Sequence, residues 1–273
     1  MNNLVVIPNK KEDIKNILKK DIHGLILGIK GLSIYPLELD IEDIIEIANN
    51  TNKEITVAMN KMIHNKDLSL VREVLGKIKT SKIKKIMFYD LGIFNICKNM
   101  HIDKELILSE EHLNASISSN KFYYDNGIKN TFITSDITYE ELLEIKNNTK
   151  MNIYYTVYGY LPIFYSRRYL LTNYFKYINK EMKDDTYYIF NKELRYMIKE
   201  YNYGTIIYSP LINLINEVDK IKDIDNLVID LSYTDDIVVI DKFINNESMD
   251  NTYIGFFNKK TIYKLKDEKQ SLK

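Results

Sequence analysis

The segment Glu54-Ile-Thr-Val-Ala-Met59, followed by the helical pattern of residues 68–79 (LSLVREVLGKIK), decides the fold class that this sequence predicts. The first part is a short, almost continuous apolar run, which is typical of a strand that is covered on both faces in a parallel sheet. Four apolar residues of the second part recur at i, i+3, i+4 and i+7: Val71, Val74, Leu75 and Ile78. This spacing places them on one face of a helix, so the segment predicts one strand–helix unit.

Six further apolar runs extend this unit along the chain. They are Leu4–Ile7, Gly24–Ile29, Lys85–Tyr89, Glu105–Leu108, Thr131–Thr134 and Met151–Val157. Helical patterns lie between several of them; Asp40 can cap one helix, and Thr138 with Glu141 forms a capping box at another. A late run, Leu227–Leu231, supplies an eighth strand. We therefore predict an α/β fold, preferably an irregular (β/α)8 TIM-type barrel, with an open doubly wound sheet as the alternative.

An insertion interrupts this pattern between the last two strands. It spans about residues 165–209 and contains two strand candidates, Tyr187–Phe190 and Thr205–Tyr208. Ser209-Pro210 then predicts the start of a helix with Leu211 and Leu214 on its apolar face. We predict a single α/β barrel domain over residues 1–263 and a charged tail over residues 264–273.

The composition restricts the function classes. Lys+Arg and Asp+Glu both count 38, so the net charge is zero, whereas proteins that grip nucleic acid through phosphates normally carry a basic excess. We expect no DNA partner, although a local basic patch stays open. The single cysteine, Cys97, excludes a metal site built on several thiolates of this chain. We therefore expect no metal and no cofactor. Because the sequence has no long apolar stretch and no secretion signal, we also expect no membrane association and a cytoplasmic location.

Polar side chains close several predicted strands, and function in a barrel gathers where strands end. These residues are Lys30, Asn60, Asp90, Glu110, Glu111, Asp136, Tyr158 and Asp230. Converging carboxylates could perform acid–base chemistry, so Asp90, Glu111 and Asp230 are the catalytic candidates. Asp230 is favoured because it closes a strand of Leu, Val and Ile. The alternative is that these residues only cap strands and start helices, and we assign Asp136 to that structural role.

The run from Tyr158 to Tyr174 holds Arg167 and Arg168 among aromatic and aliphatic residues. A buried guanidinium costs several kcal/mol unless it is paired. Arg168 therefore either pairs internally with an acid such as Asp90 or Asp230, or lies at a surface where an anion can dock. The many tyrosines nearby could stack on RNA bases, but we favour packing or a protein interface for them.

The pattern Gly159-x-Leu161-x3-Tyr165-Ser166-x-Arg168-x-Leu170-Leu171-Thr172-Asn173-Tyr174 resembles the signature of peptidase family U-32, the collagenase-like proteases. Similar residues also occur at Asn60, Asp90-Leu91-Gly92 and Ser109, so the resemblance covers most of the chain. On this resemblance we expect the ligand-binding residues to be Asn60, Tyr158, Tyr165, Ser166, Arg168 and Asn173.

The sequence departs from the family at its reactive positions. The family usually has cysteines where this chain has Pro162 and Tyr169, and further cysteines in the insertion; in cluster-bearing members these hold an iron–sulfur centre. A Glu and a His of the family align with Tyr154 and Tyr158. Phenols and a proline cannot replace thiolate ligands. The departures predict a family member that has kept the barrel and lost the metal chemistry.

The resemblance implies a role in oxygen-independent or prephenate-linked hydroxylation of RNA bases or of a quinone precursor, sometimes in two-protein complexes. Our preferred hypothesis is a cluster-less, non-catalytic partner that assists a cluster-bearing paralogue in an RNA- or small-molecule-modifying complex. The paralogue and RNA are then the expected partners. Two alternatives stay open: a collagenase-like hydrolase that uses the strand-end carboxylates, and a barrel that binds a small anionic ligand at Arg168.

Overall fold

The apolar runs of the sequence form the strands of a closed parallel barrel. The computed structural model describes residues 3–110 and 114–259. Its strands are β1 (Asn3–Ile7), β2 (Gly24–Ile29), β3 (Glu38–Leu39), β4 (Glu54–Met59), β5 (Lys85–Phe88), β6 (Glu105–Leu108), β7 (Asn130–Phe132), β8 (Asn152–Gly159), β9 (Pro162–Ser166), β10 (Thr186–Asn191), β11 (Leu194–Tyr201), β12 (Gly204–Tyr208), β13 (Ile212–Asn213) and β14 (Asn226–Asp230).

Eight of these strands make the barrel, in the order β1, β2, β4, β5, β6, β7, β8 and β14. Every pair of neighbours is parallel, and β1 closes the ring because it pairs with both β14 and β2. The predicted TIM-type barrel is therefore confirmed, and the open-sheet alternative is wrong. Strands predicted at Tyr89 and at Ile133–Thr134 end one or two residues earlier than expected.

Seven of the described helices cover the outside of the barrel: α1 (Lys11–Ile17), α2 (Ile41–Asn49), α3 (Leu68–Lys79), α4 (Leu91–Asn99), α5 (Ile117–Asp125), α6 (Tyr139–Asn148) and α8 (Val238–Asn245). The helix α7 (Leu170–Tyr177) belongs to the insertion and packs on its strands β11 and β12. The predicted capping box is confirmed at α6, where Thr138 N donates to Glu141 Oε2 at 2.8 Å and Glu141 N donates to Thr138 Oγ1 at 3.2 Å. Over the part of the chain that is described, no helix is long and apolar enough to cross a membrane.

The helix predicted after Ser209-Pro210 is wrong. The backbone N–H of Asn213 donates to Tyr253 O and that of Leu214 donates to Val157 O, both at 2.8 Å. Because these amides bond to other segments, they are not available for a helical turn. The chain forms the short strand β13 against the end of β8 and then a 3-10 helix, Ile215–Ile221.

The barrel interior is a packed core rather than a channel. Its side chains come from each of the eight strands: Val5, Ile7, Ile26, Ala58, Met87, Ile107, Phe132, Tyr154 and Val228. All are buried. Filling of this kind is usual for an eight-stranded barrel, and it restricts open space for a ligand to the ends of the strands.

A belt of polar side chains closes the amino-terminal end of the barrel. Four asparagines, each at or near the start of a strand, form a chain of hydrogen bonds: Asn3 to Asn226 at 3.1 Å, Asn226 to Asn152 at 3.1 Å, and Asn152 to Asn130 at 2.6 Å. Asn130 Nδ2 continues the chain to Glu105 Oε2 at 3.3 Å. The belt joins four neighbouring barrel strands and ends on the acid that begins a fifth.

Lys85, the first residue of β5, completes this polar belt. Its buried Nζ lies 3.2 Å from Glu54 Oε1 and 3.5 Å from Glu105 Oε2, and it donates to Tyr154 Oη at 3.0 Å. Burial alone would lower the pKa of Lys85, but Tyr154, Glu54 and Glu105 outweigh burial and raise this pKa above its usual value. The ammonium is therefore held charged beneath the apolar core.

The insertion folds into a separate antiparallel sheet with the strand order β10, β11, β12, β9. The two predicted strands lie within β10 and β12, whereas β9 and β11 were not predicted. Residues 260–273, which include the predicted charged tail, lie outside the described residues. The single-domain boundary of residues 1–263 stays a prediction.

We predict that Lys85→Met lowers the free energy of unfolding by about 3 kcal/mol, because it leaves the half-buried Glu54 carboxylate without its cation. Urea denaturation at neutral pH measures this loss. The matched control is Lys84→Met, which makes the same change at the neighbouring exposed position. Equal stability of the two variants would contradict the assigned role of Lys85.

Candidate functional site

A cavity of about 320 Å³ lies at the carboxyl-terminal end of the barrel strands. Its floor includes Ile7, Met87 and Phe132 from the barrel interior, and the insertion contributes Leu194 and Tyr196 as a wall. Most of the lining is apolar. The βα loops at this end of a barrel usually carry the function, so we take this mouth cavity as the candidate site.

The mouth cavity brings together three of the strand-end residues that the sequence singled out: Asn60, Asp136 and Asp230. Sequence reasoning placed Asp136 among the structural residues, yet it lines the cavity. Polar residues that were not proposed for a site also line it, among them Ser109, Thr134, Ser135, Thr156, Ser209 and Lys259. The cavity therefore combines an apolar floor with a rim of hydrogen-bonding groups, as ligand sites commonly do.

Asp230 is the buried acid of this cavity. Its side chain is 8% exposed, and burial raises the pKa of its carboxyl group from 3.8 to about 6, although the N–H of Ser232, which donates to Oδ1 at 2.8 Å, opposes the rise. Gly159 of β8 allows the close approach of the neighbouring strand: its φ is +141°, and a Cβ there would lie 2.8 Å from Asp230 Cβ. Asp230 can therefore accept or donate a proton near neutral pH.

Asn60 is fixed in one orientation at the end of β4. Its buried Oδ1 accepts hydrogen bonds from Ser33 Oγ at 2.8 Å and from Ile34 N at 3.2 Å. Both of these hydrogen bonds fall on the oxygen of the amide and leave Nδ2 out. Because the oxygen is already held, the amide N–H groups are the part of Asn60 that can donate to a ligand.

A trio of tyrosines joins the insertion to the barrel beside this cavity. The hydroxyl of Tyr208 lies 2.8 Å from that of Tyr201 and 2.7 Å from that of Tyr233, and the hydroxyls of Tyr201 and Tyr233 are also hydrogen-bonded to each other. Tyr208 and Tyr233 line the cavity. Burial raises the pKa of Tyr201 to about 12, so its phenol stays protonated near neutral pH.

The remaining acidic and basic candidates have structural roles or lie elsewhere. Asp90 Oδ1 accepts from Gly92 N at 2.7 Å and so caps α4, and Asp90 does not line the mouth cavity. Glu110 accepts from Tyr123 Oη at 3.1 Å, and Lys30 pairs with Asp40 at 3.2 Å. Glu111 lies outside the described residues.

The six predicted ligand-binding residues do not line one cavity. Asn60 lines the mouth cavity, whereas Tyr158 is buried on the outside of the barrel, edge-on to Phe243 of α8 with ring centroids 6.4 Å apart. Tyr165 is half-buried in the insertion. Arg168 and Asn173 are exposed, and Ser166 Oγ accepts from Arg168 N at 3.2 Å.

A buried acid, Glu200 of β11, anchors the Tyr165–Tyr174 run. Its carboxylate accepts from Leu171 N at 2.9 Å and from Thr172 N at 3.2 Å, and so caps the start of α7. A carboxylate is favourable there because it meets the positive end of the helix dipole. Sequence reasoning missed Glu200, since it lies about thirty residues along the chain from the helix that it caps.

This anchoring leaves Arg167 and Arg168 at the surface. Within the described residues, Arg168 forms neither of the expected ion pairs with Asp90 and Asp230. Of the two alternatives drawn from the sequence, the surface position is therefore the one observed.

The sulfur donors of the chain do not fit a thiolate-bound cluster. Cys97, the single cysteine, is buried in α4, and burial raises the pKa of its thiol to about 12. At the positions where the resemblance expects cysteines, Pro162 lines the mouth cavity and Tyr169 is exposed. Over residues 3–110 and 114–259, no three His, Cys, Asp or Glu side chains gather as a metal-binding group.

The fold is similar to those of two solved barrels. The U32 peptidase Mk0906 superposes with a TM-score of 0.55 at 10% identity, over 84% of this chain and 92% of that one. Phosphoribosylanthranilate isomerase from Thermotoga maritima gives a TM-score of 0.50 at 9% identity, over 90% of this chain and 98% of that one. At these identities the likeness concerns the fold alone.

Two curated proteins are similar in sequence. The tRNA hydroxylation protein P2 of Bacillus subtilis (strain 168) is 25% identical over 245 residues, which are 83% of this chain and 78% of that protein. An uncharacterised protease of Methanocaldococcus jannaschii is 22% identical over 135 residues, which are 48% of this chain and 32% of its own length.

The family model described as peptidase family U32 matches residues 36–200, which are more than half of the chain. The matched region runs from the loop after β2 through the Tyr165–Tyr174 run to the acid that caps α7. The chain therefore belongs to peptidase family U32.

Proposed function

We propose that this protein is a cluster-less barrel component of an RNA-modifying complex that hydroxylates a base, in which it assists a cysteine-bearing U32 relative. The observation that carries the proposal is the likeness to the tRNA hydroxylation protein P2, which extends over 83% of this chain. The donor set supports the accessory role, because one buried cysteine cannot hold a cluster. The partner would then supply the redox chemistry.

In this proposal the mouth cavity binds a small ligand or a base of the RNA. Its volume of about 320 Å³ and its apolar floor suit a flat ring. The fixed amide of Asn60 and the carboxyl group of Asp230 would hydrogen-bond to the ring edge. Asp230 would accept from a ring N–H when ionised and donate when protonated.

Binding is preferred over hydrolysis because two of the three acids proposed as catalytic are not assigned to the mouth cavity: Asp90 caps α4, and Glu111 lies outside the described residues. Asp230 lines the cavity together with Asp136, so a hydrolase that uses these two acids is the alternative function. The anionic-ligand alternative rests on Arg168, which is exposed and does not line the mouth cavity.

Deletion of the gene in the source cell should abolish one hydroxylated tRNA nucleoside, measured by mass spectrometry of digested tRNA. The wild-type gene should restore it, and Asp230→Asn should restore at most about a tenth, because the ring edge loses its ionisable partner. The control is Asp223→Asn, which changes an exposed acid in the same way. An unchanged nucleoside profile in the deletion strain would refute the proposed function.

We expect the tagged protein to capture a U32 relative that carries the cluster cysteines, together with RNA, when it is purified anaerobically from the source cell. Mass spectrometry identifies the captured protein, and iron analysis should assign the metal to that partner. Recovery of the protein alone, under conditions in which the deletion strain does lose the nucleoside, would argue against a complex.

Asp230 should reduce stability at neutral pH, as a buried acid in a binding site often does. Because its pKa is raised from 3.8 to about 6, the folded protein binds this proton more tightly than the unfolded chain does, and stability falls as the pH rises through this window. Asp230→Asn should therefore raise the free energy of unfolding by about 2–3 kcal/mol at about pH 7, with little change at about pH 4. Urea denaturation at both pH values measures the difference. A variant that is less stable than the wild type at pH 7 would contradict the assigned cause.

A further inference from the structure

A second cavity, separate from the mouth, lies between the loop that follows β4 and the insertion. We call it the basic groove; its volume is about 310 Å³, and it is lined by Lys61, Met62, His64, Lys66, Asp67, Tyr165, Arg167, Tyr169, Asn202 and Tyr203. The lining combines three permanent cations with one carboxylate in a chain whose overall net charge is zero. Positive charge is therefore concentrated here.

Some charged side chains of the groove already have partners within the protein, and others are open to a ligand. Asp67 Oδ2 accepts from His64 N at 3.0 Å, and so is held in its own loop. Lys61 Nζ donates to Gly31 O at 3.2 Å and lies 4.8 Å from the centre of the Tyr203 ring. Lys66 and Arg167 are exposed, and within the described residues neither has an ion pair or side-chain hydrogen bond. These two cations are available to an anion.

The aromatic side chains of the groove are held in place. Tyr203 stacks on Tyr201 with ring centroids 4.9 Å apart and an interplanar angle of 6°. Tyr169 is 47% exposed, but its hydroxyl donates to Asn202 O at 2.8 Å, which fixes the ring. A fixed, exposed ring beside free cations is the arrangement that binds single-stranded nucleic acid, since the ring stacks on a base and the cations contact phosphates.

The groove is connected to the mouth cavity through side chains. Tyr203, which lines the groove, stacks on Tyr201, and the hydroxyl of Tyr201 bonds to those of Tyr208 and Tyr233, which line the mouth. Contacts between tyrosines therefore run without a break from the groove to the mouth cavity.

We propose that the basic groove docks a single-stranded RNA segment, with phosphates on Lys66 and Arg167 and a base stacked on Tyr169. This inference rests on the proposed function, because it names where the RNA of that complex is held. RNA is favoured over a small anion because the groove places a stacking ring beside two separate cations. The docked segment presents a neighbouring base to the mouth cavity.

The test measures binding of a fluorescent single-stranded oligoribonucleotide of about 10 nucleotides to the purified full chain, as a function of salt. The Lys66→Ala/Arg167→Ala double variant should bind at least tenfold more weakly, and its plot of log affinity against log salt should be shallower by about 1.4, because two phosphate contacts are lost. Tyr169→Ala should weaken binding about tenfold with an unchanged salt slope.

The matched control is Lys82→Ala/Lys84→Ala, which removes two exposed lysines outside the groove and should bind as the wild type does. Circular dichroism verifies that each variant is folded. Wild-type affinity and salt slope in the groove double variant would overturn the inference, as would equal competition by a mononucleotide at the same phosphate concentration.

Failure of this inference is distinguishable from failure of the proposed function. If the groove double variant restores the hydroxylated nucleoside fully in the deletion strain, the groove is not the docking site, and the proposed function stands. If RNA binding depends on the groove but the deletion strain keeps a normal nucleoside profile, the groove inference stands, and the proposed function in hydroxylation falls.

Discussion

The ion pairs of Lys85 with Glu54 and Glu105 are the constraint on which the rest of the barrel depends. An ammonium buried beneath an apolar core is tolerable only if acids surround it, and these acids begin the strands on either side of β5. The three charged residues therefore fix the relative register of β4, β5 and β6. The asparagine chain extends the same alignment to β7, β8, β14 and β1.

Alignment at one end of parallel strands determines which residues meet at the other. Because the strands are parallel, Asn60 after β4 and Asp230 at the end of β14 come to the same rim, although 170 residues of chain separate them. The rim is then closed by the insertion, which the tyrosine trio joins to Tyr233 after β14, while Glu200 holds α7 within the insertion itself. The amino-terminal belt thus provides stability, while the carboxyl-terminal rim keeps an acid whose pKa is raised by burial.

The sequence predicts the barrel well because parallel strands that are buried on both faces leave a plain signal in apolar runs. For the same reason it predicts that Asn60 and Asp230 lie at the carboxyl-terminal ends of barrel strands, because each residue stands where an apolar run stops. It does not predict β9, β11 or Glu200, because the insertion is half exposed, and its partners are distant in sequence. Nor can it select Tyr201, Tyr208 and Tyr233 from 22 tyrosines, since only the tertiary fold brings their hydroxyls together.

The family resemblance expects cysteines at two positions of this chain, and the residues found there contribute to two different cavities. Pro162 lines the mouth cavity, and Tyr169 lines the basic groove, so the two positions border different spaces. Neither residue offers a soft metal ligand, and each contributes something else: a rigid apolar wall in one case and a stacking surface in the other. Both surfaces are suited to holding a substrate. In the accessory role that we propose, the partner would supply the electrons and this chain would position the RNA, so the accessory role and the RNA groove support each other physically.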